Sequence, residues 1–352
     1  MSKIESNLSV QLGKPKILAI QFKYLGDAVF ITPALRALKQ QYPESEIHVL
    51  VAKEVAPLFA HLSWIDKVWA FPRTRGKAKI SESWPFVSAL RKERYDRSVD
   101  FVGNDRGAIL SLLIGARIRL APIKYHPTLL QKLAYTQTIE TQSLPISWVN
   151  RHLQMLELSW QTPPTESKYM SIESDPALKK TAKNILKNHT IICHLGTSQP
   201  KKEWPVYKWH EFYQLASKAG YKLAFSAGTN DRELGLLVGL KELAPEIYAL
   251  PAMTDLSLFL AVLKQAKVVI SGDTGPLHFA AGLGVKVIGL FGTEDSVLHA
   301  APIYGRNELI QSSLCTCLNE LAQFPICQSN TSCMATISVG RVLDMLNNEF
   351  HD

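Results

Sequence analysis

Residues 268–281, VVISGDTGPLHFAA, pass from a run of aliphatic, mostly β-branched side chains into an Ala-rich apolar segment, with one turn of small residues between them. The first part has no polar face to offer solvent. It predicts a strand buried on both sides, and such strands belong to parallel sheets covered by helices. The second part predicts a covering helix. Thr274 and Gly275 suit its N-cap and first turn, and Pro276 fits there because its missing N–H has no intrahelical partner to lose. Free backbone N–H groups and the helix dipole at such a turn form a seat for phosphate. The same residues equally fit an ordinary strand-to-helix turn, and the motif alone does not decide.

The alternation recurs along the chain. Residues 16–22 predict a first strand, followed by Lys23, Tyr24, Leu25, Gly26 and Asp27 and then a helix over 28–41. Further strands are expected at 46–51, 67–71, 95–101 and 118–120, and helices at 55–61, 106–114 and 149–158. Residues 125–147 read as irregular loops. The segment QTPPTE at 161–166 is the best boundary. Beyond it, strands are expected at 190–195, 222–226, 247–250 and 285–291, with helices at 207–219, after 227–231, at 256–264 and at 339–350. This rhythm predicts an α/β protein of two doubly wound domains facing each other across a cleft. The division expected is 1–162 and 163–336, with 337–352 as a helix returning to brace the first domain.

Composition narrows the setting. A chain of 352 residues exceeds one typical core, and 46% hydrophobic with 20% charged residues describes an ordinary globular protein. No apolar stretch approaches the roughly 20 residues that span a bilayer, and the polar N-terminus lacks a signal-peptide core. A cytoplasmic protein is expected. The net charge of +8 calls for an anionic partner, yet no dense Lys/Arg tract of the nucleic-acid-binding kind is present. Cys315, Cys317, Cys327 and Cys333 crowd one late segment, but their uneven gaps do not match a standard zinc spacing. Reduced structural thiols are expected there.

Three loops of the second half end strands and so share one sheet edge. Thr197 and Ser198 offer hydroxyls, Lys202 a point positive charge, and Thr274 and Gly275 their amides, a set suited to a nucleotide diphosphate. Asn230 and Asp231 have the groups to bind ribose hydroxyls. His278, on the first turn of the expected helix, reads either as a donor to the diphosphate or the sugar or as a packed core histidine. Asp27 lies at the edge of the first sheet, where it reads either as a helix-capping carboxylate or as a general base facing the cleft. The basic stretch that holds Arg73 and Arg75 is a solvated loop or, with Lys23, a contact for an acidic acceptor.

Three stretches together resemble one family: residues 17–51, ILAIQFKYLGDAVFITPALRALKQQYPESEIHVLV, the KEWP loop, and SGDTGPLHFAAGLGVKVIGLFG at 271–292. The chain resembles, over nearly its full length, the bacterial glycosyltransferases that include the ADP-heptose:lipopolysaccharide heptosyltransferases, glycosyltransferase family 9. The resemblance implies two Rossmann-like domains (the GT-B architecture), an inverting transfer and no required metal ion. It implies a nucleotide-sugar donor, in the first instance ADP-heptose, and a lipid A/core-type glycolipid acceptor met peripherally at the cytoplasmic face of the inner membrane. By position it implies Asp27 as catalytic base, with Thr197, Ser198, Lys202, Asp273, Thr274, Gly275 and His278 around the donor. It places Met253 near the adenine and Asn230, or else Asp231, near the ribose. A nucleotide-sugar epimerase or hydrolase on the same fold, and a non-catalytic binding module, are the other classes to separate from it.

Overall fold

The computed structural model describes residues 14–23, 25–72, 80–123, 126–140, 146–163, 168–292, 300–302, 304–305, 307–312 and 332–351. The chain divides into two units. One holds residues 1–24, 31–144 and 149–167, and the other residues 25–30, 145–148 and 168–352.

The first unit is built on a parallel sheet of β1 (Lys16–Gln21), β2 (Glu46–Ala52), β3 (Lys67–Phe71), β4 (Arg97–Asp100), β5 (Ile118–Ile123) and β6 (Gln137–Glu140), in the spatial order β3-β2-β1-β4-β5-β6. Its helices are α1 (Thr32–Gln41), α2 (Ile80–Lys92), α3 (Asp105–Ile114), α4 (Leu129–Ala134) and α5 (Trp148–Trp160). Ile17, Leu18, Ala19 and Ile20 of β1 are wholly buried, as a central strand covered on both faces requires.

The second unit opens with α6 (Lys179–Leu186) and continues β7 (Ile191–His194), α7 (Val206–Lys218), β8 (Leu223–Ser226), α8 (Asp231–Leu243) and β9 (Tyr248–Ala249). Then come α9 (Leu256–Gln265), β10 (Val268–Gly272), α10 (Gly275–Gly282), β11 (Lys286–Phe291), β12 (Asn307–Gln311) and α11 (Val339–His351). Its sheet runs β12-β11-β10-β7-β8-β9, all parallel, so that in each unit's own count both sheets share one Rossmann order. Two Rossmann-like domains are therefore present. In the second sheet the chain winds outward through β8 and β9 and then restarts beside β7 with β10. The switch point, where ligands of such folds bind, is the gap beyond the ends of β7 and β10.

Several elements differ from those expected. The helix expected from residue 28 begins at Thr32, preceded by a 3-10 turn over Gly26–Ile31. Residues 125–147 are not all loop, since they contain α4 and the edge strand β6. Thr128 and Gln131 close a reciprocal capping box that starts α4. The closing helix α11, expected to brace the first domain, packs into the core of the second unit. Val342 and Leu346 sit in the second unit's core with Trp204, Trp209 and Phe212, and Tyr221 donates to Asn347 at 2.8 Å. The driving force is its apolar stripe, which finds a ready partner face on α7. Among the described residues no helix is long and apolar enough to cross a membrane.

Candidate functional site

Each strand flanking the switch point of the second sheet hands its chain to a turn rich in polar groups. β7 is followed by the loop that carries Lys202. That loop is anchored by Trp204, whose buried indole meets Trp209 edge-on at 4.8 Å and donates to the Ile337 carbonyl at 3.2 Å. Pro200–Lys202 makes a 3-10 turn, and Pro205 stands at the N-cap position of α7. Loop position is thus fixed by an aromatic wedge, and the Lys202 side chain is left to reach across.

It reaches the turn after β10. Lys202 Nζ donates to Asp273 Oδ2 at 2.5 Å, and His278 Nε2 donates to Asp273 Oδ1 at 3.3 Å. Asp273 is buried, which alone would push its carboxyl up. The His278 hydrogen bond and the Lys202 charge outweigh that and hold it well below the usual carboxylate range. His278 is also packed, with its ring 4.8 Å from that of Phe30 in an edge-on contact. The packed-core reading describes this histidine, with one ring nitrogen on the Asp273 carboxylate and the ring body against Phe30. Its Nδ1 is buried and has no hydrogen-bond partner among the described residues.

α10 begins at this point. Thr274 occupies its N-cap position and makes no side-chain cap, and Pro276 sits in the first turn. The helix therefore presents uncapped backbone N–H groups beside Lys202 and gives a local excess of positive potential.

Asp27 lies elsewhere than expected in one respect. It does not cap α1, where Ile31 holds the N-cap position, but stands half-buried in the first turn of the 3-10 segment. That segment belongs with the second unit, although it follows a strand of the first, so Asp27 is grouped with the loops that carry Lys202 and Asp273. It packs along α10: a Cβ placed on Gly26 would stand 3.2 Å from Gly275 Cα and from His278 Cδ2, and one on Gly282 3.0 Å from Val29 Cγ1. A side chain at either glycine would force its neighbours to give by a few tenths of an ångström.

A second polar cluster stands at the ends of β7 and β8, and sequence reasoning missed its centre. Glu233 is buried, accepts the Gly228 N–H at 3.1 Å and the Asn230 amide at 2.7 Å, and lies where side chains at Gly196 or Gly228 would collide with it. Arg232 bonds to Glu203, to the Thr197 carbonyl and to Glu233, so it ties the two loops together. The signal was present in the sequence, because Asn230-Asp231-Arg232-Glu233 has capping-box spacing, and the Asn230 side chain accepts the Glu233 N–H at 3.0 Å.

The other expected residues divide as follows. Thr197 is buried, and its hydroxyl donates to the Gln199 carbonyl at 2.6 Å. Ser198 is exposed on the same loop. Asn230 has both side-chain atoms engaged with Glu233, and Asp231 is exposed in the first turn of α8. Met253 is half-buried in the segment between β9 and α9. Lys23 lies in the first unit, its N–H on Gln21 Oε1 at 3.1 Å. Arg73 and Arg75 lie outside the described residues, as do Cys315, Cys317 and Cys327, whereas Cys333 is buried. Among the described residues no three His, Cys, Asp or Glu side chains are grouped to hold a metal ion.

Comparison with known proteins adds to this geometry. The sequence matches the model of glycosyltransferase family 9 (heptosyltransferase) over residues 84–324. It is 23% identical to lipopolysaccharide heptosyltransferase 3 of Escherichia coli over 292 residues, which cover 78% of this chain and 83% of that protein. It is 25% identical to lipopolysaccharide heptosyltransferase 1 of Escherichia coli K12 over 325 residues, covering 84% and 92%. Among solved structures, a family 9 glycosyltransferase of Veillonella parvula aligns with a TM-score of 0.78 at 18% identity, over 97% of this chain and 98% of that one. The E. coli ADP-heptose lps heptosyltransferase II aligns with a TM-score of 0.77 at 20% identity, over 95% and 98%.

Proposed function

Because the chain belongs to glycosyltransferase family 9, the heptosyltransferases, we propose that it moves a heptose from ADP-heptose to a lipopolysaccharide inner-core type acceptor, with inversion and with Asp27 as general base. The observation that carries this reading is the close packing of the Gly26–Asp27 turn on the N-terminal end of α10, beside Lys202, Asp273 and His278. A half-buried carboxylate and an anion seat then serve one reacting centre.

In the proposed step the acceptor hydroxyl oxygen bonds to the anomeric carbon as the bond from that carbon to the phosphate oxygen breaks. The electron pair leaves with ADP, and the hydroxyl proton passes to Asp27. Negative charge grows on the departing diphosphate. The amides of Thr274 and Gly275 and the ammonium of Lys202 stabilise it, and no metal ion is called for. Lys202 has three donors and so binds a phosphate oxygen while still on Asp273. Asp273 and His278 hold the ammonium and the helix start in position, Ser198 adds a hydroxyl, and Thr197 fixes the loop's shape.

In this reading Asp231 takes the ribose hydroxyls, since the side chain of Asn230 is committed to Glu233, and Met253 meets the adenine. Lys23, Arg73 and Arg75 meet the phosphorylated acceptor. The enzyme works on the cytoplasmic side, peripheral to the inner membrane, and its basic surface favours that encounter.

Incubating the purified protein with ADP-heptose, with and without a lipid A–core acceptor, tests the proposal. ADP released only with acceptor supports transfer. Release without acceptor means a hydrolase, and tight binding with no release means a non-catalytic module.

A further inference from the structure

Helices α2, α3 and α4 follow β3, β4 and β5 and pack side by side. Right-handed crossovers set them on one face of the first sheet, opposite to α1. The outer side of this layer is unlike an ordinary solvated face. On α3, Ile109 and Leu112 are 47% and 43% exposed, and on α4, Leu129 and Leu133 are 74% and 64% exposed. Each pair is spaced by three or four residues, so it lies along one stripe of its helix. Single exposed leucines need no explanation, but here four exposed aliphatic side chains stand on two helices that pack against each other.

Cations flank the patch. Arg106 on α3 stands three residues before Ile109, Lys132 on α4 stands three after Leu129, and both are exposed. Arg91, at the end of α2, reaches over to donate to the Leu113 carbonyl at 3.0 Å, at the C-terminal end of α3. The one carboxylate on α3 and α4, Asp105, is tied down at the patch margin, where it accepts from Thr128 Oγ1 and Gln131 Nε2 at 3.0 Å each. The surface thus combines exposed leucines with three exposed cations, and its one carboxylate is held at the margin by hydrogen bonds from Thr128 and Gln131.

We propose that this α3–α4 face docks the protein on an anionic lipid bilayer, with Leu129, Leu133, Ile109 and Leu112 entering the acyl boundary and Arg106, Lys132 and Arg91 meeting lipid phosphates. An apolar stripe flanked by Lys and Arg has the make-up of an interfacial anchor, and charge complementarity selects acidic lipid over another protein surface. The inference deepens the proposed function by assigning the surface through which a membrane-held acceptor is met.

The test is co-sedimentation of the full chain with vesicles of phosphatidylcholine alone or mixed with phosphatidylglycerol, with no donor or acceptor added. Binding is expected to the mixed vesicles, to weaken with salt, and to fall about tenfold or more in the double variant Leu129→Gln/Leu133→Gln and in Arg106→Glu/Lys132→Glu. Both pairs are exposed, so thermal midpoints and transfer to a deacylated, water-soluble acceptor should stay as in the parent. That soluble assay keeps the two proposals apart, because it succeeds or fails whatever the vesicles show. Parent protein that ignores the mixed vesicles, variants that bind them undiminished, or a parent dimer that the leucine variant turns into a monomer would each overturn the docking assignment.

Discussion

The ammonium of Lys202 and the carboxylate of Asp273, 71 residues apart in the chain, meet at 2.5 Å beyond the adjacent strands β7 and β10. The pair exists because the Rossmann order brings these two strand ends together, and its position beside the start of α10 gives the region its capacity for an anion.

Replacing Lys202 with Ala should weaken ADP binding by about tenfold or more, the worth of a charge-assisted hydrogen bond. Titration calorimetry reads the effect. Some loss of stability should accompany it, since the buried Asp273 loses its cationic partner and keeps His278. Unchanged ADP affinity would remove Lys202 from the donor site.

Gly26→Ala puts a methyl 3.2 Å from the Gly275 backbone, a neighbour that cannot swing aside as a side-chain tip can. The turn must shift by a few tenths of an ångström and carries Asp27 with it. A drop in kcat of about tenfold or more is expected, with KM for the donor within about twofold. Steady-state kinetics separates the two, and an unaltered kcat would show that the contact does not set the position of the carboxylate.

At the opposite edge of the first sheet, Glu93 accepts from Lys16 at 2.6 Å and from Lys67 at 2.7 Å. These hydrogen bonds lower its carboxyl from 4.5 to about 2. The unfolded chain then binds more protons than the folded one between those values, so the contribution is full above about pH 4.5 and is lost as pH falls toward 2. Glu93→Gln should cost about 1–2 kcal/mol at pH 7 after allowance for the half-exposed Lys67, with a smaller difference at pH 3 and no change in kcat. Urea unfolding at the two pH values checks it, and a difference that does not depend on pH would rule out the ionic cause.

Much of this was legible in the sequence because buried parallel strands write themselves as short aliphatic runs. β1, β3, β10 and β11 could be read to within a residue or so. The edge strands β6 and β12 could not, although the edge strand β3 could. β12, with sequence NELIQ, keeps only two apolar residues, and β6, QTIE, is mostly exposed, so neither shows the pattern that burial imposes. Lys202, Asp273 and His278 were named because loops that end neighbouring strands converge. That Asp27 stands with the second unit depends on side-chain fit at Gly26, Val29 and Phe30, which local sequence does not encode. Glu233 was missed because its burial between Gly196 and Gly228 appears only once β7 and β8 are paired.

The most direct test of the central claim is Asp27→Asn, assayed for transfer from ADP-heptose and, separately, for ADP affinity. General-base loss predicts a fall in kcat of about two to four orders of magnitude with the ADP Kd within about twofold of the parent. Transfer that survives the substitution, or an ADP affinity that collapses with it, would contradict the assignment.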